Sequence, residues 1–358
     1  MQPIMMPPNV IEHFYLGGER IAELRGFGMP SPRRPEEWLA ATTHRAGEPD
    51  IGPSRTPAGE HLADLISQNP IGWLGNDNGP AGDSGLLVKL LDAGQRLPVH
   101  VHPSRDFAHR HLNCPYGKTE AWFVLGTSGQ RPSVWLGWNT DVDPSELSRR
   151  VEGQDSDWML TRMNRIDVRA GDGILVPAGT VHAIGEGVFV TEVQEPTDLS
   201  ILLEWSVTTA TKDESHLGLG MPVALSATDH RALVDAELSN LIVHTDPHST
   251  GPSAQRLLPE RADPYFRLDR LAPSGRASLG LPAGFSVGVV LHGSGILTSD
   301  AGDPVPLERG QVLAIPAAYG DWTISGDLQM ISCRPGIGWP STIKDRAAAR
   351  QHSAPGAS

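Results

Sequence analysis

Short apolar runs separated by glycine and proline limit the fold of this chain more than any other feature. The 358 residues include 39 glycines and 31 prolines, residue types that form turns and end helices. Apolar runs such as 84–91, 120–125 and 188–194 have the length of strands and are shorter than typical helices. The pattern therefore predicts a mainly β protein, built as a sandwich or barrel of short strands.

A few segments predict helices instead. Helical patterns occur at 59–67 and 144–151, and the clearest runs from Thr228 to Leu238, where Thr228 or Asp229 is the expected N-cap. The stretch 244–255 is rich in turn residues and predicts a linker. We therefore expect a small helical patch beside the β structure.

Charge and cysteine content restrict the partners and the compartment. The formal net charge is -13, and an acidic surface repels the phosphates of nucleic acids. No apolar run approaches the roughly 20 residues that span a bilayer, and the first residues lack the pattern of a signal peptide. Cys114 and Cys333 are the only cysteines, which is typical of a reducing compartment. We expect a cytoplasmic protein with no nucleic-acid or membrane partner; its oligomeric state is left open.

The stretch 97–125 contains candidate metal ligands. His100 and His102 are one residue apart in a predicted strand, so their side chains share a face. Glu120 begins the next apolar run. If these side chains point into a barrel, two imidazoles and a carboxylate converge. Such nitrogen and oxygen donors suit a divalent metal ion.

Two spaced patterns resemble the signature motifs of the cupin superfamily. Gly94-x5-His100-x-His102 followed by Glu120 resembles the first, although 17 residues separate His102 from Glu120 where a typical cupin has only a few. Gly171-x5-Pro177-x-Gly179-x2-His182 resembles the second. The resemblance implies a jelly-roll barrel in which His182 is the fourth metal ligand.

A weak internal repeat predicts a second barrel. Gly310-x5-Pro316 repeats the turn of the second motif, but Asp321 stands where the first copy has its histidine. We expect two cupin-type β-barrels, the second degenerate and without a metal. The predicted divisions are a catalytic cupin domain at 1–207, a helical linker segment at 208–255, a degenerate cupin domain at 256–340 and a disordered tail at 341–358.

Longer segments resemble a narrower family, the type I mannose-6-phosphate isomerases. The similarity runs over about residues 10–210 and is most specific in GKTE (117–120) and PAGTVHAIG (177–185). Glu36-x-Trp38 also resembles an E-x-W of that family near its N-terminus. The resemblance implies Zn²⁺, or another divalent metal, held by the four residues His100, His102, Glu120 and His182.

The same resemblance implies roles for further residues. Lys118 matches the active-site lysine of the family, and Glu192 and Asp198 match acidic positions, so these three are the catalytic candidates. Glu36, Trp38 and Lys118 are expected to bind substrate. One position departs from the pattern, because Leu202, or a neighbouring apolar residue, stands where the family usually has an arginine.

The implied activity is a metal-dependent aldose–ketose isomerisation, mannose 6-phosphate to fructose 6-phosphate, through an enediol. Lys118 would stabilise the enediolate or transfer a proton to oxygen, and Glu192 or Asp198 would act on carbon. The missing arginine keeps open an isomerase of another sugar or sugar acid, phosphorylated or not. A non-catalytic sugar-binding cupin is a further alternative. A metal-dependent oxygenase is disfavoured by the GKTE and PAGTVHAIG segments.

Overall fold

A computed structural model describes residues 1–28, 31–76, 78–247 and 251–343 of the chain. The strands of its first part are β1 Ile4–Met5, β2 Val10–Ile11, β3 Glu36–Leu39, β4 Leu87–Asp92, β5 His100–Val101, β6 Glu120–Thr127, β7 Ser133–Trp138, β8 Met163–Asp167, β9 Asp172–Val176, β10 His182–Ile184, β11 Val188–Gln194, β12 Ile201–Leu202 and β13 Ile242–His244. Those of its second part are β14 Ser253–Arg256, β15 Phe266–Ala272, β16 Ser278–Leu281, β17 Ser286–Ser299, β18 Gly302–Glu308, β19 Val312–Ile315 and β20 Trp322–Pro335. The α-helices are α1 Arg20–Arg25, α2 Leu62–Gln68, α3 Pro70–Leu74, α4 Arg105–Leu112, α5 Pro144–Glu152, α6 Ser156–Thr161, α7 Met221–Leu225 and α8 Asp235–Ser239.

The strands form three antiparallel sheets. A seven-stranded sheet has the order β13-β9-β6-β11-β4-β3-β2, and a five-stranded sheet has the order β12-β5-β10-β7-β8. The third sheet has the path β1-β19-β17-β20-β15-β14, with β16 beside β20 and β18 beside β17. The mainly β, cupin-like prediction is confirmed. The predicted barrels are open, however, because in the described residues the sheets remain separate and do not pair into one continuous cylinder.

One cross-strand row of the seven-stranded sheet brings charged and aromatic side chains to the same face. In register, Trp38 of β3 lies opposite Lys89 of β4, Lys89 opposite Glu192 of β11, and Glu192 opposite Trp122 of β6. Directly opposite residues share a face of the sheet. All four side chains are buried, so this face carries charged groups as well as apolar ones into the interior.

The helical patch covers the outer face of the five-stranded sheet. Val99, Val101 and Ala183 of that sheet region pack in one core cluster with Leu147 of α5 and Met159 of α6. Because side chains alternate along a strand, burying Val101 outward turns the neighbouring histidines inward. The outer packing therefore orients His100 and His102.

The predicted helix at 228–238 is wrong over most of its length, since only Asp235–Ser239 is helical there. The preceding backbone makes tertiary hydrogen bonds instead: Asp229 N–H donates to the carbonyl of Gly179, and the carbonyl of His230 accepts from Val142 N–H. These bonds hold the segment extended against the first sheets, and the local helical preference is overridden.

The predicted domain divisions remain a prediction. β13 lies inside the predicted linker and pairs with β9 of the seven-stranded sheet, and β1 pairs with β19 of the third sheet. The predicted tail lies outside the described residues except at 341–343. No helix in the described part of the chain combines the length and apolarity needed to cross a membrane.

Candidate active site

Three histidines from the five-stranded sheet form a compact cluster. His100 of β5 lies directly opposite His182 of β10, and His102 follows β5 by one residue. The ring centroids are 4.0 Å apart for His100 and His182, 4.7 Å for His102 and His182, and 4.9 Å for His100 and His102. One candidate ligand atom from each residue falls within 4.8 Å of the others. The strand pairing therefore brings together the three predicted histidines.

Backbone carbonyls hold each imidazole in one orientation. The Nδ1 atoms of His100, His102 and His182 lie 2.8, 2.9 and 2.8 Å from carbonyl oxygens of Pro98, Leu199 and Thr180. When Nδ1 donates to a carbonyl, Nε2 carries the free lone pair that binds a metal. The Nε2 atom of His182 is buried and has no hydrogen-bond partner among the described residues, as expected for a metal ligand.

Glu120 reaches the cluster from the facing sheet. Its Oε2 lies 2.9 Å from Nε2 of His102, and its Oε1 lies 3.4 Å from Nε2 of His182. The indole N–H of Trp122 donates to Oε1 at 3.0 Å, and Lys118 Nζ donates to Oε2 at 2.7 Å. The structure thus places Glu120 beside two of the three clustered histidines, His102 and His182.

The protonation states suit a divalent cation. Burial lowers the pKa of each of the three histidines, that of His102 to about 3, so the rings are neutral at neutral pH. Burial alone would raise the pKa of Glu120, but Lys118 and His102 outweigh it and hold that pKa well below its usual value. Three neutral imidazoles and one carboxylate fit the donor preferences of Zn²⁺ and similar metals.

Beside the histidines lies a buried lysine shared by two glutamates. Lys89 Nζ is 3.2 Å from Glu36 Oε2 and 3.2 Å from Glu192 Oε1. Glu36 also accepts hydrogen bonds from the hydroxyl of Tyr15 and, at 2.8 Å, from the indole of Trp38. Glu192 Oε1 has an ion pair with Lys89 but no bond of hydrogen-bond geometry in the described residues.

The two glutamates consequently differ in acidity. Burial and the charge of Glu120 raise the pKa of Glu192 and Lys89 offsets only part of the rise, so that the pKa is about 7. For Glu36, burial is outweighed by His13, Lys89 and the donors Tyr15 and Trp38, and the pKa lies well below its usual value. A carboxyl that titrates near neutral pH is suited to accept and return a proton.

Lys89 and the two glutamates line one cavity of about 40 Å³ between the two sheets. Six of the residues proposed from the sequence line it: Glu36, His100, Lys118, Glu120, Glu192 and Asp198. Asp198 also borders an adjoining cleft of about 290 Å³, so it lies at the junction of the cavity and the cleft. Trp38 lies behind Glu36, to which it donates, and is not among the residues of the described chain that line the cavity.

Sequence reasoning missed several cavity residues. Lys89, His13, Tyr15 and Ser200 line the cavity without having been assigned a role. Lys89 had a usable signal, since a lysine in a buried apolar strand needs a charged partner. Leu202, at or next to the position where the resemblance leads us to expect an arginine, also lines the cavity. Of the described residues, the lysines and arginines that reach this lining are Lys89 and Lys118, and each is ion-paired.

Comparison with known proteins finds sequence relatives that cover nearly the whole chain. No family model matches the chain. Among curated proteins of Bacillus subtilis (strain 168), the chain is 28% identical over 335 residues to the "Probable mannose-6-phosphate isomerase GmuF", covering 93% of this chain and 99% of the relative. It is 29% identical over 338 residues to the mannose-6-phosphate isomerase ManA, covering 92% and 98%.

Solved structures agree with these relatives. The mannose 6-phosphate isomerase structure from Bacillus subtilis matches with a TM-score of 0.74 at 25% identity, over 93% of this chain and all of the other. A phosphomannose isomerase from Salmonella typhimurium matches in fold with a TM-score of 0.70 at 16% identity, over 94% of this chain. The similarity extends over nearly the full length of each protein. The chain is therefore similar, in sequence and in fold, to proteins named mannose-6-phosphate isomerase.

Proposed function

We propose that this protein is a metal-dependent aldose–ketose isomerase that interconverts mannose 6-phosphate and fructose 6-phosphate. The observation that carries the proposal is the cavity lined by His100, Glu120 and Glu192. His100 belongs to the cluster of three neutral histidines, and Glu192 is a buried carboxyl with a pKa of about 7. Isomerisation needs a base for a C–H proton and a polarised oxygen pair. Both are available within one enclosed space.

We propose Zn²⁺ as the metal, held by His100, His102, Glu120 and His182. When bound, the ion would supply Lewis-acid polarisation and a template for two neighbouring sugar oxygens. The residues contribute the geometry, because three rings are fixed by carbonyls and Glu120 is fixed by Trp122 and Lys118.

Glu192 is our choice of carbon base. It is buried, it lines the cavity, and half of it is ionised near pH 7. Asp198 is the second candidate, half-buried at the junction with the adjoining cleft. Glu36 and Trp38 support the base indirectly, since Glu36 holds the lysine that faces Glu192.

Lys118 is assigned to the sugar oxygens. Its ammonium lies 2.7 Å from both Glu120 Oε2 and His102 Nε2, and its side chain lines the cavity. A cation at this edge of the metal site can donate to an oxygen that gains negative charge as the enediolate forms.

The cavity also favours a second candidate, an isomerase of a sugar without phosphate. Leu202 presents an apolar side chain to the cavity, and the ammonium groups of Lys89 and Lys118 already face carboxylates. A phosphate dianion usually requires unpaired arginine or lysine. The two candidates share metal and base and differ only in the sugar.

We further propose a cytoplasmic location, in keeping with two free thiols at Cys114 and Cys333, and the division into domains at 1–207, 208–255 and 256–340. The partner is a small sugar or sugar phosphate.

The test is an NMR assay of a panel of sugars and sugar phosphates with metal-loaded protein in deuterated solvent. Mannose 6-phosphate should give fructose 6-phosphate with deuterium entering at C2, whereas turnover of free sugars alone would select the second candidate. Binding without conversion or exchange would contradict both and favour a sugar-binding protein. Metal analysis of protein purified without added metal should find zinc.

Glu192→Gln is the decisive variant in this assay. It should lower kcat by about 10²-fold or more. In the wild type, kcat/KM should fall below about pH 7 because Glu192 becomes protonated. This fall should be absent in Glu192→Gln. Glu186→Gln, which changes an exposed glutamate, is the matched control. If Glu192→Gln turned over normally, Glu192 would not be the base.

A further inference from the structure

His13 is a cavity residue to which neither motif assigns a role. It follows β2 on the segment that also carries Phe14 and Tyr15, and all three line the cavity. Its ring packs edge-on against Phe14, with ring centroids 4.8 Å apart, and at a tilt against Tyr15, with centroids 4.9 Å apart. The side chain is 9% exposed. The imidazole is therefore held by ring packing at the cavity wall.

Both ring nitrogens of His13 lack a hydrogen-bond partner among the described residues. The nearest carboxylate oxygen, Glu36 Oε1, is 3.5 Å from Nε2 and does not form a hydrogen bond with it. That oxygen already accepts from the hydroxyl of Tyr15. A buried ring with two unmet nitrogens costs free energy, and such groups call for an explanation. A polar ligand in the cavity would satisfy them.

His13 is neutral when the protein is at neutral pH, because burial lowers the pKa of its ring more than Glu36 raises it. A neutral imidazole offers one N–H donor and one acceptor. The lysines that line the cavity differ, since Lys89 and Lys118 each face carboxylates. His13 thus offers both a donor and an acceptor, and neither ring nitrogen has a hydrogen-bond partner among the described residues.

Isomerisation moves two protons, and Glu192 accounts for only one of them. A carbon-bound proton passes between C2 and C1, while an oxygen-bound proton passes between O1 and O2. The second transfer needs a group that donates to one oxygen and accepts from its neighbour. Neutral histidine serves this purpose in enediol chemistry.

We propose that His13 carries the oxygen-bound proton between O1 and O2 of the enediolate. The inference rests on the proposed isomerase function. In the step, a ring N–H bond breaks as an O–H bond forms on the former carbonyl oxygen. The O–H bond of the neighbouring hydroxyl then breaks, and its proton returns to the ring nitrogen. The histidine is regenerated, and no charge or electron is gained or lost.

The test compares isomerisation with deuterium exchange in the metal-loaded full chain. Without His13, Glu192 still forms the enediolate, but the enediolate returns to substrate more often than it proceeds. His13→Asn should lower kcat by about 10²-fold and raise, by about tenfold or more, the ratio of deuterium in recovered substrate to product formed. His109→Asn, an exposed histidine on α4, should leave both quantities unchanged.

A residue that only packs or binds would give a different result. Unchanged kcat with a normal exchange ratio, or a raised KM with that ratio unaltered, would overturn the proposal. His13→Gln is the second variant, because it retains a polar side chain that cannot shuttle a proton; normal activity in it would also overturn the role. Circular dichroism melting verifies that the variant measured is folded. If the wild type neither isomerises nor exchanges any sugar, the proposed function itself fails.

Discussion

Glu36 and Glu192 share one lysine, yet their pKa values lie on opposite sides of the usual glutamate value. Glu36 accepts from Tyr15 and Trp38 in addition to Lys89, and its pKa is lowered. Glu192 faces Lys89 alone and lies near the charge of Glu120, and its pKa is raised to about 7. The number of donors around each carboxylate decides which one can act as a base.

Lys89→Met tests this arrangement. Removing the ammonium leaves two buried carboxyls without their cation, which should destabilise the fold by about 3 to 5 kcal/mol. The folded state already binds a proton at Glu192 more readily than the unfolded state, with a pKa of about 7 against 4.5. Without Lys89 that pKa rises further, so the loss of stability should grow as the pH rises from 5 to 8.

Urea unfolding at both pH values measures the effect of Lys89→Met. The matched control is Lys212→Met, which removes a lysine paired with Glu152 at the surface, where the two side chains are 44% and 62% exposed. An exposed pair contributes about 1 kcal/mol or less. Equal losses of stability in Lys89→Met and Lys212→Met would show that the charge of Lys89 does not stabilise the site.

Motif spacing was sufficient to find part of the site and insufficient for the rest. His100, His102, Glu120 and His182 could be named from strand alternation and two spaced motifs. The structure clusters the three histidines and places Glu120 beside two of them. Lys89 was not predicted as a site residue because its partners are determined by the cross-strand register. His13 belongs to an N-terminal segment whose path across the cavity no local pattern reveals.

Among the elements, strands were easier to predict than helices. The mainly β character follows from short apolar runs, and the helix expected at 144–151 is α5. The insertion between His102 and Glu120 contains α4, whose N-cap Ser104 accepts from Phe107 N–H; the sequence analysis had not predicted it. The expected helix from Thr228 failed because its backbone bonds to Gly179 and Val142, partners that are distant in sequence.

The two facing sheets both contribute to the candidate metal site, three histidines from one and Glu120 from the other. A bound ion would therefore cross-link the sheets and stabilise the folded state. At free metal 1,000 times its dissociation constant, the gain is about 4 kcal/mol. Chelation of the metal should lower the wild-type unfolding midpoint accordingly, measured by urea titration. His182→Gln should lose most of this sensitivity, while His109→Gln should retain it. If chelation left the unfolding midpoint of the wild type unchanged, a metal at this position would be contradicted.

The two halves of the molecule are connected through the first residues of the chain. β1 pairs with β19, Met6 N–H donates to Val312 O at 2.8 Å, and Arg25 bonds to the carbonyls of Met6 and Gly310. Arg25 also pairs with buried Glu37 at 3.0 Å. One core cluster contains residues of the seven-stranded sheet and of the third sheet together. A division of the sequence into consecutive domains does not reveal such a connection.

This connection predicts that the chain unfolds as one unit. Calorimetry of the wild type should give a single transition whose calorimetric and van't Hoff enthalpies agree. Met6 is 3% exposed in the shared core, so Met6→Ala should destabilise the whole transition by about 2 to 5 kcal/mol. Ile337→Ala, at a position 58% exposed, should change stability by about 0.5 kcal/mol or less. Because the metal would bind between the first two sheets, metal should raise the single midpoint in the wild type and in Met6→Ala alike. Two separate transitions in the wild type, with only one sensitive to metal, would mean that the halves are independent and that the N-terminal strand does not couple them.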